Sequence, residues 1–493
     1  MQWETVIGLE VHVQLATASK LFSSARNQFG DTPNSNACAI DLGFPGTLPV
    51  VNKEAVRMAA KLGLALNAEV APISHFDRKN YFYPDLPKGY QVTQAERPIF
   101  SGGIVEFEVN GVENQIKLHH AHLEEDAGKS IHGITPGFSG IDLNRAGTPL
   151  LEIVTEPDFR TAEQASAFLK KLHTLVQYLE ISDGNMAEGS LRCDANVSVR
   201  PVGQKEFGTR TEIKNLNSFR FIEQAIEYEV ARHIHVLESG GQLVQETRLY
   251  DPDKNETRSM RSKEDANDYR YFPEPDLLPV IVEQALIDEL KATMPELDNQ
   301  KKKRYVNELG LSDYDASLLT TDVAIAHYFE AVLATAGNDQ AKAAANWIQT
   351  ELLGGLKKRE LKLSKNPDET PVKPVQLANL IKQINEDVIS NKIGKGIFDT
   401  LMDSPREEDN AVDLIIDEKG LRQNSNTDEL KGFVDEVINA NQNQVEAYLA
   451  APVEKRQKMT GFFIGQLMKK TQGKANPKVL NQLLAEKLQS LEG

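Results

Sequence analysis

Two stretches of strict alternation constrain this chain more than any other feature. In residues 5–15, Leu9, Val11, Val13 and Leu15 fall on one face of an extended strand, and Glu10, His12 and Gln14 on the other. Residues 191–200 repeat the pattern, with Leu191, Cys193, Ala195, Val197 and Val199 against Arg192, Asp194, Asn196, Ser198 and Arg200. Strands that are apolar on one side and charged on the other build a sheet with one face on a core and one lining a polar space. Cys193, on the apolar side, reads as an inert core thiol.

Helical periodicity is sparse in this part of the chain. One helix is predicted over about residues 161–180. A second starts near Ser218, runs through Ile222, Ile226, Val230 and Ile234, and stops at Gly240-Gly241. This layout lacks regular βαβ alternation, so α+β is expected and a doubly wound sheet is not. Near residue 294 the composition changes. Most of the 22 prolines precede Pro295, and the remainder is rich in Ala, Leu, Lys, Gln and Glu, which favours helix. At about 150 residues per domain, 493 residues make about three. The expected division is a catalytic cradle at 1–293, a helical domain at 294–405 and a small helical tail at 406–493, with the acidic, proline-bearing stretch 402–410 as linker.

Two cysteines, Cys38 and Cys193, exclude a disulfide framework and a four-cysteine zinc site. No apolar run approaches the roughly 18 residues of a membrane span, and residues 1–6 do not read as a signal peptide. A soluble cytoplasmic protein is the expectation.

Four segments carry candidate chemistry. Glu10 and His12, two apart on a strand, share a face and can share a cation; they also suit a solvated strand face. Residues 119–130 place His119, His120 and His122 beside Glu124, Glu125 and Asp126. That density suits a hard cation such as Mg²⁺, with at most one of Glu124 and Glu125 pointing at it; a charged hairpin edge fits as well. Residues 77–90 interleave Lys79 and Lys88 with Tyr81, Phe82, Tyr83 and Tyr90, as a nucleotide site or an aromatic mini-core would. Arg258, Arg261, Lys263 and Arg270 form a cationic run suited to phosphate or to a salt-bridged loop. Gly128-Lys129-Ser130 resembles the end of a P-loop, but the required earlier glycine is Leu123. No dinucleotide fingerprint and no G-x-S-x-G elbow occur. A nucleotide bound here would need another cradle.

The wording of the sequence goes further. Residues 7–15 (Ile-Gly-Leu-Glu-Val-His-Val-Gln-Leu), 77–85, 123–130, 144–153, 188–198, 212–218 and 268–276 resemble, in order, the motifs of the B-subunit family of the aspartyl/glutamyl-tRNA(Asn/Gln) amidotransferases. Looser likeness continues through Ala345-Asn-Trp347 and residues 389–395 into the tail. The resemblance implies a glutamine-synthetase-like catalytic fold. It implies use of ATP and Mg²⁺ to phosphorylate the side-chain carboxylate of mischarged Glu-tRNA(Gln) or Asp-tRNA(Asn). The activated carboxylate is then amidated with ammonia channelled from a partner, the glutaminase (amidase) subunit, with a third, small subunit bracing the heterotrimer. By position, the resemblance makes Glu10, His12 and Glu125 metal ligands and Glu124, Asp194 and Glu212 further candidates for metal or nucleotide. It puts Lys79 and Lys88 at phosphate or transition-state charge, and Arg192, Arg258 and Arg261 at phosphate. Some members carry a Cys-x-x-Cys zinc element near residue 38; here Cys38 is followed by Asp41, so zinc is not expected.

Two other functions remain at this stage. A nonenzymatic tRNA-binding scaffold would not need carboxylates gathered on strand faces. A stand-alone enzyme acting on free glutamate would not need the helical second half. The net charge of −17 argues against an extensive nucleic-acid surface, but its distribution leaves room for a local one. Residues 401–450 carry 4 Lys+Arg against 12 Asp+Glu, and residues 451–493 carry 8 against 3. The basic end, with Lys455, Arg456, Lys458, Lys469, Lys470, Lys474 and Lys478, is a candidate tRNA contact, helped by Lys357, Lys358 and Arg359.

Overall fold

A computed structural model describes residues 2–260, 269–424, 426–471 and 473–491. The chain forms two compact units, Met1–Asp298 and Asn299–Gly493.

The first unit is built on a ten-stranded sheet whose middle carries the polar face anticipated from the alternation. Its principal strands are β1 (Trp3–Gln14), β2 (Val112–Glu125), β3 (Pro149–Thr155), β4 (Leu191–Pro201), β5 (Thr211–Leu216), β6 (Glu246–Asp251) and β7 (Glu256–Ser259). They lie side by side in the order β7-β6-β5-β4-β1-β3-β2, and Phe100–Ser101 and Glu69–Val70 extend the β2 side. Every pair along this path is antiparallel except β5–β6, so the sheet is mixed at that one step.

Ile7, Leu9, Val11 and Val13 of β1 point into the core with Leu191, Cys193, Ala195 and Val197 of β4. Three helices supply the opposing apolar surface: α1 (Lys53–Ala65), α2 (Ala162–Tyr178) and α3 (Phe219–Glu238). The two helices expected from periodicity are α2 and α3. Thr161 starts α2 through a capping box, accepting from the Gln164 amide while the Gln164 side chain returns to the cap. Ser218 caps α3, and Gly240 ends the run with φ +76°.

The second unit is helical from Asp313–Thr320 to Pro477–Ser490. It holds two apolar clusters: one draws on residues from Tyr305 to Ile416, the other on residues from Leu430 to Leu488. Helix Ala411–Glu418 gives Ala411, Val412, Ile415 and Ile416 to the first cluster. Among the described residues, no helix is long and apolar enough to cross a membrane.

Candidate active site

Antiparallel register brings side chains from four strands into rows across the sheet. His122 on β2, Glu152 on β3, His12 on β1 and Arg192 on β4 stand directly opposite one another, strand to strand. One step along, Glu10 is flanked by Val154 and Asp194. Asn196 on β4 stands opposite Glu212 on β5.

These rows make two clusters, in each of which one ligand atom per residue lies within 4.8 Å of the others. One is His12, Glu124 and Glu152; the other is Glu10, Asp194 and Glu212. In the first, Nε2 of His12 lies 3.3 Å from Oε2 of Glu152, and His122 Nε2 lies 3.3 Å from the same oxygen and 3.5 Å from Glu124. Burial works against protonating these imidazoles, but the carboxylates win. The pKa of His12 rises above its usual value and that of His122 rises to about 10. Burial also opposes ionising Glu152, yet the same two histidines hold its pKa well below the carboxylate range. His120, desolvated and beside His122, is pushed down to about 4.

The second cluster is three carboxylates. Lys214 bridges two of them, 2.9 Å from Asp194 and 3.0 Å from Glu212, and Asn196 donates to Glu10 at 3.0 Å. Burial, and then the charges of Glu152 and Glu212, raise the pKa of Glu10. One imidazole with two carboxylates, and three carboxylates alone, are hard donor sets of the kind that bind divalent cations such as Mg²⁺. The raised Glu10 carboxyl is a negative site short of positive charge.

The expected ligands Glu10, His12 and Glu125 are not brought together. Glu10 lies in the second cluster and His12 in the first. Glu125 turns to the other side of β2, where it is 2% exposed, pairs with Lys88 and accepts from the Val92 amide at 3.0 Å. Glu124 takes the place beside His12. Lys79 has its ammonium 4.9 Å from the Tyr269 ring centroid. Burial works against its charge, but Glu124 foremost, with Glu152, raises its pKa. Lys88 is held by Glu125, with its ammonium 5.3 Å from the Tyr90 ring centroid.

Arg192 donates to Asp126 at 2.7 Å, and its buried Nε has no partner among the described residues. Burial would raise the Asp126 pKa, but Arg192 and Arg145 hold it low. Asp194 and Glu212 lie in the second cluster with Glu10. Arg258 lies on the edge strand β7, half-exposed, donating to Asp251 at 2.5 Å and Glu256 at 3.1 Å. Arg261 and Lys263 fall outside the described residues.

Glu152, His122 and Lys214 carry no individual role in the sequence patterns, yet all three lie in or against the clusters. A signal for Glu152 was present: it is the one charged residue in Pro149–Thr155, on the face opposite Leu151 and Ile153. Lys214 shares its strand face with Glu212 by simple alternation.

The GatB/GatE catalytic domain family matches residues 5–288, and the GatB domain family matches residues 327–488. The B subunit of the aspartyl/glutamyl-tRNA(Asn/Gln) amidotransferase from Alkalilimnicola ehrlichii is 56% identical over 491 residues, covering 99% of this chain and 100% of that protein. Proteins of the same name from Azotobacter vinelandii and Pseudomonas syringae pv. tomato are 55% and 54% identical over 490 residues, with the same coverage. The chain belongs to this B-subunit family, GatB. The family is one of ATP-dependent ligases that form a carbon–nitrogen bond. The stretches that carry the resemblance are the site's own strands. Residues 7–15 cover most of β1, 123–130 start at the end of β2, 188–198 run into β4 and 212–218 begin on β5.

Proposed function

We propose that this protein uses ATP to activate the side-chain carboxylate of the amino acid on Glu-tRNA(Gln) or Asp-tRNA(Asn), and that the activated group is amidated on the polar face of the sheet. A carboxylate is a poor electrophile at neutral pH. Attack of its oxygen on the γ-phosphorus releases ADP and gives an acyl phosphate. Ammonia then adds to the acyl carbon, the carbon–oxygen bond to phosphate breaks, and loss of a proton leaves the amide.

The observation that carries this reading is the pair of carboxylate clusters side by side on one sheet face. His12, Glu124 and Glu152 would hold one Mg²⁺, and Glu10, Asp194 and Glu212 a second. Bound there, the cations would neutralise phosphate oxygens. Lys79 faces the same space and would meet charge that develops on the transferred phosphoryl group. Lys214 keeps Glu212 ionised and holds Asp194 in place. Lys88 and Glu125 form a buried pair that fixes the 81–90 segment beside Lys79, and Arg192 holds Asp126 under the rim. Arg258, paired to its own hairpin, closes the sheet edge.

Ammonia has to be delivered to the activated carboxylate. We assign its supply to a partner glutaminase, with a third, small subunit holding the pair together. The tail, residues 406–493, with its basic end, is our candidate for tRNA contact.

The test is amidation of each mischarged tRNA by the reconstituted complex with ATP and glutamine, using Glu152→Gln and Asp194→Asn. Both variants should bind tRNA and fail to amidate it. Full activity in either overturns the assignment. A pure scaffold would tolerate both changes, and an enzyme for free glutamate would turn over without tRNA.

A further inference from the structure

Residues 15–52, between β1 and α1, contain no helix or strand, and Ser19 and Arg26 form their single bridge. An ordered loop of that length inside a compact unit usually carries function. Polar contacts hold it to the 141–148 turn. The Asn34 amide donates to Asp142 at 3.0 Å, the Asn36 amide donates to Asn144 at 2.7 Å, and the Asn144 side chain donates to the Thr32 carbonyl at 2.7 Å.

Inside the loop lies a pair of opposite charges. Lys20 is fully buried, and its ammonium lies 3.5 Å from Oδ2 of Asp41, whose side chain is 3% exposed. The same ammonium donates to the Leu143 carbonyl at 3.4 Å. Asp41 also accepts from the Ser23 hydroxyl and from the Cys38 amide, each at 2.9 Å. The seat is tight: a Cβ on Gly147 would come within 2.7 Å of Asp41 Oδ1. Burial lowers the Lys20 pKa, with Asp41 foremost among the charges that pull it back up and Glu125 also among them. Removing one partner of such a pair strands a buried charge, so each fixes the other.

Asp41 belongs to a compact turn. Leu42, Gly43 and Phe44 donate their amides to the carbonyls of Cys38, Ile40 and Ala39. Gly43, with φ +69°, lies against Lys88: a Cβ there would be 2.8 Å from Lys88 Cγ and 3.2 Å from Lys88 Cα. The turn thus has Lys20 on one flank and Lys88 on the other. Lys88 pairs with Glu125, and two residues later Tyr90 stands opposite Asn80, the neighbour of Lys79.

We infer that Lys20 and Asp41 are positioning residues for amidation: they fix the 38–44 turn, and the turn sets Lys88 through the contact at Gly43. The inference rests on the reading that Lys79 works with the carboxylate clusters on the polar face. Neither Lys20 nor Asp41 belongs to a cluster. Glu125 holds Lys88 by its head and the turn holds it by its stem. Without the turn, the 81–90 segment would shift, and Lys79 with it.

The test uses the assembled enzyme, with rates taken per folded protein. Gly43→Ala drives a methyl into Lys88 and leaves the ion pair alone. Asp41→Asn leaves Lys20 buried without a countercharge. Each should lower kcat for amidation by about tenfold or more, the scale of a misplacement of about 1 Å, with KM for ATP and for aminoacyl-tRNA within about twofold of wild type. Combining the two should cost little more than either alone, because both act by displacing Lys88. Gly46→Ala is the control. Gly46 has φ +83° in the same loop but nothing within 4 Å of an added Cβ, so alanine there brings backbone strain without the contact. Its kcat should stay within about twofold of wild type.

Full kcat in Gly43→Ala or in Asp41→Asn would overturn the inference, and so would losses confined to KM or Tm. An equal loss in Gly46→Ala would put the effect in loop strain and not in Lys88. Additive losses in the double variant would mean that the two positions do not share a route, which sinks the proposal too. If Lys79→Ala itself keeps full kcat, it is the underlying reading of the site that fails.

Discussion

His12 and Glu152 stand directly opposite each other on neighbouring strands, and His122 reaches the same carboxylate oxygen from the far side, each nitrogen 3.3 Å away. One half-buried carboxylate thus holds two imidazoles with raised pKa values. The proton that these carboxylates favour on His12 competes with a divalent cation for the same nitrogen. Metal binding must displace it, because a ligating imidazole is neutral. Titrating the protein with Mg²⁺ or Mn²⁺ should therefore release protons, and affinity should rise with pH across the neutral range. Calorimetry in two buffers of different ionisation enthalpy measures the release directly. Binding without any net proton release would rule out His12 as a ligand.

Neighbouring glutamates should behave differently. Glu124→Gln removes a carboxylate from the first cluster and leaves the fold alone. Amidation should fall by about two orders of magnitude, on the scale of a metal's charge stabilisation, with little change in Tm. Glu125→Gln instead strips the partner from a lysine packed against Tyr90. It should cost roughly 3 kcal/mol of stability in urea unfolding, as an uncompensated cation does. Equal loss of stability in the two variants would contradict this separation.

Which glutamate faces the site turns on a single β-bulge. Ile116 and Leu118 are core residues, and alternation counted forward from them points Glu125 away from the core and Glu124 into it. The register slips opposite Val154 and Thr155, where His119 is the extra residue, and from there Ala121 and Leu123 face the core. The bulge inverts every later side chain. The β1 and β4 faces, free of such a slip through the site, were fully legible from their alternation, as were α2 and α3 from their period and caps. Glu152 and Lys214 needed strand partners to acquire meaning: each is one ordinary charge until the register sets it against His12 or Asp194. The contact of Gly43 with Lys88 joins two separate segments, and no local pattern encodes it.

Beneath β5, β6 and β7, Glu229 of α3 is fully buried and answers Arg248 at 3.0 Å, Arg232 at 2.8 Å and His233 at 3.3 Å. Burial alone would raise its pKa, but His233, Arg232 and Thr257 bring it down to about 2. A depressed folded-state value means the ionised form stabilises the fold. That contribution is fully present above the unfolded value of about 4.3 and is lost as pH falls through the folded one. Glu229→Gln should therefore lower stability by roughly 2–3 kcal/mol at neutral pH, with the gap from wild type closing as pH drops from about 4.3 toward 2. Unfolding in urea across that range reads it. A gap that persists at the acid end would mean that packing, not charge, is what the variant lost.

Cutting the chain for a tRNA test has to respect its packing. Removing residues from 406 onward would take Ala411, Val412, Ile415 and Ile416 out of the first helical cluster. Removal of residues 426–493 spares them and takes only the cluster that begins at Leu430. Within that piece, Lys470 and Lys487 pair with Glu436 and Asp435, and Lys478 reaches Asp387. The cations offered to phosphate are thus fewer than the composition suggests, with Lys455, Lys458, Lys469 and Lys474 the best candidates. Shortening at 426 should weaken tRNA binding by about tenfold or more and flatten its salt dependence, since each lost phosphate contact reduces the slope by about one. ATP binding should remain, because both carboxylate clusters lie in the first unit. Filter binding of tRNA across a salt series gives both quantities. An unchanged slope would place tRNA recognition elsewhere on the chain.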